Sequence, residues 1–199
     1  MDKIYKALSV ILHPIFLPMF GTWVYLNVLP LPISKMQIYL IFFIVTGATF
    51  LVPLLTIFLL RFMGYIKSVQ VTTAHERKLP VALMIVNYVF LAQMLGRIWQ
   101  LRELTILAYA TALGLIVTIF LLYKKIKVSL HMLGMAGLLG FTIVYGSVYD
   151  YPVLVIALLF ILTGLLATVR LKLKAHNFKE IILGTALGLL LPILISFVL

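Results

Sequence analysis

Seven stretches of almost unbroken apolar sequence constrain this chain more than any other feature: 7–29, 38–60, 81–99, 104–123, 131–149, 152–169 and 176–199. A helix needs about 20 apolar residues to cross the hydrocarbon core of a bilayer. With no water at that depth, only helices and closed barrels satisfy their own backbone polar groups. Barrel strands alternate apolar and polar positions over about ten residues, whereas these runs are apolar throughout. The expected fold is all-α, a polytopic transmembrane helix bundle of six to seven spans forming a single integral membrane domain over 1–199. Only 11% of the residues are charged and 64% are hydrophobic, against about 25% charged in soluble domains. Two segments are irregular. The run 81–99 is short and carries Asn87 and Gln93, and 7–29 is interrupted by His13, Pro14 and Pro18. Lys3 and Lys6 precede that run as in a signal peptide, but no small-residue cleavage site follows. It reads as a retained first span, or as a broken or re-entrant helix.

Lysine and arginine number 16 against five acids. In a soluble protein such a balance would suggest nucleic acid. Here the cations sit in short loops between apolar runs, so membrane orientation and anionic lipid head groups account for them and no nucleic-acid partner is expected. With seven spans, all of the 16 except Lys35, Arg97 and Arg102 fall on the N-terminal face. The positive-inside rule makes that face cytoplasmic, in a multi-pass protein of a bacterial-type inner membrane. Cysteine is absent, which removes disulfides, thiolate metal sites and cysteine nucleophiles. Gly134, Gly137 and Gly140, and Gly184 with Gly188, have the spacing of helix-packing faces, which also permit a homo-oligomer.

Polar groups at membrane depth are costly and are functional candidates by default. Three clusters stand out, all on the same face: His75-Glu76-Arg77-Lys78-Leu79-Pro80, Lys127-Val128-Ser129-Leu130-His131, and the stretch from Arg170 through His176 to Glu180. Four residues apart, His176 and Glu180 share one face of a helix. A carboxylate beside an imidazole fixes its tautomer and leaves the other ring nitrogen free to attack or take a proton. The fork of Arg170 can hold a phosphate. Ser129 stands where an N-cap would, with free amides and His131 just beyond it. Singly, each has a bland explanation as a solvated helix start, a cap or a basic membrane-edge loop. Their convergence on one face points to an anionic group.

In these residues the chain resembles the type 2 phosphatidic acid phosphatase superfamily, which includes lipid phosphate and polyprenyl diphosphate phosphatases. That family's third motif, Arg-x5-His-x3-Asp, is matched by Arg170, His176 and Glu180, with Glu in place of Asp. Its second, Ser-Gly-His, is similar to Ser129-Leu130-His131. Its first, Lys-x6-Arg-Pro, survives as Arg77-Lys78-Leu79-Pro80, with Gln70 where the lysine would stand. The resemblance covers roughly Arg77 to Gly188, making about 77–199 the family-like core. It implies a metal-independent phosphatase without cofactors. His176 would attack phosphorus to give a phosphohistidine, Glu180 would orient it, and His131 would serve as general acid and then base. Arg170, Arg77, Lys78, Ser129 and Lys127 would bind the phosphoryl group of a lipid phosphate. In many members the resemblance also implies an outward-facing site, opposite to the charge count. The extra methylene of Glu180 is enough to move His176 by about 1 Å, and Leu130 adds bulk where a glycine lets backbone approach phosphate.

Other functions are limited by what is absent. Asp2 and Asp150 are the only aspartates, too few for the paired clusters of prenyl- and alcohol-phosphotransferases. No Gly-x-Ser-x-Gly elbow occurs. A haem held between His131 and His176 is a minor rival. The principal alternative is a catalytically inactive relative that binds or carries an anionic lipid.

Overall fold

The computed structural model describes residues 2–28, 31–68, 74–146 and 153–198, except for the side chains of Asp2, Ala74 and His75. Helices α1 (Asp2–Ile11), α2 (Leu17–Val28), α3 (Lys35–Thr46) and α4 (Val52–Phe62) are followed by α5 (Ala74–Leu95), α6 (Arg102–Tyr123), α7 (Leu130–Gly146), α8 (Val153–Lys172) and α9 (Phe178–Ser196), with no strand among the described residues. Five helices are long and apolar enough to cross a membrane: Lys35–Phe62, Glu76–Leu95, Trp99–Tyr123, Val153–Lys172 and Phe178–Ser196. α7 is apolar but shorter. The outward faces carry large exposed apolar side chains such as Phe43, Leu55, Phe90 and Phe160, as expected of surfaces that meet hydrocarbon.

One open alternative is resolved and two expectations change. The run 7–29 is not one helix: α1 ends at Ile11 and α2 starts at Leu17, because Pro14 and Pro18 lack amide donors for a continuous ladder. α5 begins at Ala74 and continues through Pro80, so Glu76, Arg77 and Lys78 lie in its first turns instead of in a loop. His176 precedes α9 instead of lying on it: Asn177 is the extended N-cap, its Oδ1 accepting from Glu180 N at 3.0 Å. Asparagine is among the strongest N-caps and stops the helix one residue short of the histidine. The expected span ends at Leu29, Tyr149, Pro152 and Leu199 lie outside the described residues.

The long second helix is widened in its middle. A π-helical turn, Gly47–Leu51, joins α3 to α4, with Pro53 just beyond it. Asn87 Nδ2 on α5 donates to the Ala48 carbonyl at 2.8 Å, supplying a donor where the helical ladder is irregular. The polar residue that weakened the third segment as a span therefore has a packing partner.

α7 and α9 approach closely, and glycines make it possible. A Cβ at Gly188 would lie 2.5 Å from Leu133 O and 2.8 Å from Gly137 N, and one at Gly140 would lie 2.5 Å from Leu189 O. These are backbone atoms, so the helices themselves would have to part. Gly188→Ala is therefore expected to cost about 1–3 kcal/mol, read as a lower unfolding temperature in detergent. Unchanged stability would mean that α7 and α9 do not approach this closely.

Helix ends from across the sequence meet at one end of the bundle. Lys78 Nζ sits 4.0 Å from the centre of the Tyr123 ring, joining the start of α5 to the end of α6. Ser129 N donates to Glu180 O at 3.2 Å, joining the start of α7 to the start of α9. Arg170 Nη1 donates to Ser9 Oγ at 2.8 Å, joining the end of α8 to α1. At the far end, Tyr25 OH donates to the buried Glu103 Oε2 at 2.8 Å.

Candidate functional site

A cavity of about 610 Å³ opens inside this first end and is lined there by His13, Arg77, His131, Arg170 and His176. Each side chain arrives on a different element. Arg77 is in the first turns of α5, His131 in the first turn of α7 and Arg170 in the last turn of α8. His176 sits in the α8–α9 connection and His13 in the break between α1 and α2.

The turn after α8 brings His176 back beside Arg170. Ala175 N donates to Arg170 O at 3.1 Å and Lys174 N to Leu171 O at 2.9 Å, with Lys174 in the left-handed region at φ 50°. This is a Schellman closure. His176, only 7% exposed, then pairs its Nδ1 with Glu180 Oε2 at 2.6 Å. The other carboxylate oxygen of Glu180 accepts from Asn177 Nδ2 at 3.2 Å. The extra methylene of glutamate is thus taken up across the N-cap. Because Glu180 engages Nδ1, the remaining ring nitrogen of His176 is Nε2. Burial pushes the His176 imidazole below its ordinary pKa, the Glu180 hydrogen bond pulls it up, and the charges of Arg170 and Arg77 depress it further.

His131 Nε2 faces the Ser9 carbonyl at 3.3 Å. A carbonyl only accepts, so that nitrogen carries the hydrogen. The His131 ring stands edge to face with His13, centroids 4.8 Å apart, and His13 Nδ1 accepts from Ile15 N at 3.2 Å. The Nε atom of Arg170 is buried without a hydrogen-bond partner.

The other expected residues are placed differently. Lys78 packs over Tyr123 and Lys127 is exposed, and neither lines the cavity. Ser129 occupies the N-cap position, its carbonyl accepting from Leu133 N at 2.9 Å, but its hydroxyl is buried without a partner and its amide is spent on Glu180 O. The side chain of His75 lies outside the described residues. His13 and Ser9 were missed by sequence reasoning, although His13 beside a proline in an apolar run was itself a signal. Among the described residues, no three His, Asp or Glu side chains converge as a metal ion would require.

Fold and site define an all-helical chain with five helices able to cross a membrane and a cavity whose one end is rich in histidine and arginine. Compared with protein-family models, with curated proteins and with solved structures, the chain has no match in any of the three.

Proposed function

We propose that the protein is a multi-pass membrane phosphatase, similar to the type 2 phosphatidic acid phosphatases, that hydrolyses a lipid phosphomonoester or diphosphate without metal. The observation that carries this reading is the His176–Glu180 pair at 2.6 Å in a cavity that also receives Arg77, Arg170 and His131. Three helix N-termini, those of α5, α7 and α9, lie at the same end, and their dipoles favour an anion there. Arg170 has a buried Nε with no partner to offer such an anion.

In this reading, Nε2 of His176 attacks phosphorus as the bond from phosphorus to the lipid oxygen breaks. Nδ1–H stays on Glu180, whose charge stabilises the imidazolium as it forms. His131, protonated on both ring nitrogens once the anionic phosphate is bound beside it, gives its Nε2 proton to the leaving oxygen and becomes the neutral imidazole. Its Nε2–H contact with Ser9 O, at 3.3 Å, is long for a hydrogen bond and weak enough for a leaving oxygen to displace. His131 then takes a proton from the water that cleaves the phosphohistidine, releasing phosphate and restoring His176. Arg170 and Arg77 neutralise the equatorial oxygens. The site is proposed to face the cytoplasm, from the distribution of cations.

The first test is release of inorganic phosphate by purified protein with chelator present. The substrates are phosphatidic acid, phosphatidylglycerophosphate and a polyprenyl diphosphate. No release from any of them by folded protein would overturn the reading. The pH profile provides a second test. A histidine held below its ordinary pKa is neutral, and so nucleophilic, down to a lower pH. The acid limb of kcat/KM that reports His176 is therefore expected below pH 6.5. A limb above that value would contradict His176 as the nucleophile.

A second reading, an anionic-lipid binder without chemistry, draws on the engagement of His131 Nε2 by Ser9. Both readings expect weaker binding on loss of Arg170, and only the enzyme expects phosphate release.

A further inference from the structure

The cavity does not stop at its cationic end. Its lining on α5 runs from Arg77 to Leu95, eighteen residues, or about 27 Å along the helix. Across from α5 it reaches Leu104 at the start of α6 and Pro192 deep in α9. That depth approaches the roughly 30 Å thickness of the hydrocarbon core. Below the arginines and histidines its walls are mostly apolar. Tyr88 and Thr22 add hydroxyl-bearing side chains to these walls, while Thr49 Oγ1 donates to Val45 O and Thr111 Oγ1 to Leu107 O, each at 2.8 Å, turning two of the threonine hydroxyls back to their own helix. Gly137 leaves open space on one side, since a Cβ there would meet nothing nearer than Gly188 O at 3.8 Å. From the π-helical turn, Thr49 and Phe50 line the cavity.

Spread over that depth, 610 Å³ gives an average bore of about 20 Å². One hydrocarbon chain keeping about 4 Å between its carbons and the wall atoms fills such a bore. We infer that the cavity is a tunnel for a single hydrocarbon tail, held inside the bundle with its phosphate at Arg77, Arg170 and His176, so that the preferred ligands are single-chain lipid phosphates. This rests on the phosphate reading of the cationic end.

The test uses the full-length protein in nanodiscs and measures equilibrium binding and phosphate release separately. The probes are octyl phosphate, hexadecyl phosphate, geranylgeranyl phosphate and dipalmitoyl phosphatidic acid, so that straight and isoprenoid tails are distinguished from each other and from a two-chain lipid. Leu115→Trp plugs the tunnel eight residues from Tyr123, about 12 Å below the end of α6. Thr111→Phe, one turn deeper, serves the same purpose if the tryptophan variant does not fold. The expected result is that one of the single long-chain phosphates binds at least about 10-fold tighter than phosphatidic acid. The plug is expected to weaken that ligand by about 10-fold or more and leave octyl phosphate within about 2-fold. Phosphatidic acid binding as tightly as the single-chain probes, long chains indifferent to both plugs, or no binding of any alkyl phosphate would overturn the tunnel. Chain-selective, plug-sensitive binding with no phosphate released would uphold the tunnel and sink the phosphatase reading alone.

Discussion

Replacing His176 by alanine is expected to lower phosphate release by on the order of 10⁴-fold or more, the scale seen when a catalytic nucleophile is removed. Its side chain is only 3% exposed, with Nδ1 committed to Glu180 and Nε2 the one ring nitrogen left to attack. No neighbour is equipped to replace it. His13 accepts an amide hydrogen on Nδ1, His131 is turned to Ser9, and the chain has no cysteine. The variant is expected to keep its fold, because His176 stands before the N-cap of α9 and the capping bond between Asn177 and Glu180 N does not involve its ring. Two measurements separate lost chemistry from lost structure. Unfolding temperature in detergent should stay within a few degrees of wild type. An acid-labile phosphoprotein trapped with labelled substrate should appear in wild type and vanish in the variant. Release above a hundredth of the wild-type rate would assign the nucleophile elsewhere.

What could be read from the sequence divides along physical lines. Helical class follows from uninterrupted apolar runs, since a chain in hydrocarbon has few ways to satisfy its backbone. Convergence of Arg77, His131, Arg170 and His176 on one end follows from helix parity, because successive spans return the chain to the same side. Boundaries were less legible. The stretch up to Pro80 read as a basic membrane-edge loop, but α5 begins at Ala74 and continues through that proline at the loss of one ladder bond, which takes Arg77 onto a helix. The His176–Glu180 spacing suggested a shared helix face, and Asn177 instead places the contact across a cap. His13 and Ser9 were hidden for a different reason. Their roles come from α1 folding against α8 and from the break that turns His13 toward His131, long-range contacts that no local pattern encodes. Lys127 and Lys78 show the converse: charge near a motif says nothing about which way a flexible side chain points.

Glu180 offers the sharper test, because the family that the chain resembles has aspartate at this place in its motif. Here glutamate at the third position of α9 reaches back across Asn177 to His176 Nδ1 at 2.6 Å, with its second oxygen held by Asn177 Nδ2 at 3.2 Å. Shortening the side chain by one methylene withdraws the carboxylate by more than a hydrogen bond tolerates, and a misplacement of about 1 Å costs on the order of 100-fold. Glu180→Asp is therefore expected to lower phosphate release despite restoring the residue of the family's motif. Glu180→Gln is expected to do worse, about 10³- to 10⁴-fold, by analogy with the triad aspartate. An amide NH₂ turned to Nδ1 would drive the ring proton onto Nε2 and block the attacking lone pair. Glu180 also raises the pKa of His176 through its hydrogen bond and its charge. Removing that charge lowers the pKa, so the acid limb of kcat/KM in the glutamine variant should move to lower pH as the plateau falls. A role confined to capping α9 would leave the limb where it is, since Asn177 Oδ1 and Glu180 N make that bond without the carboxylate. Activity in the order glutamate, aspartate, glutamine, with the limb displaced in the last, is the expected pattern. Aspartate matching or exceeding glutamate would mean that the 2.6 Å contact does not set the geometry of attack.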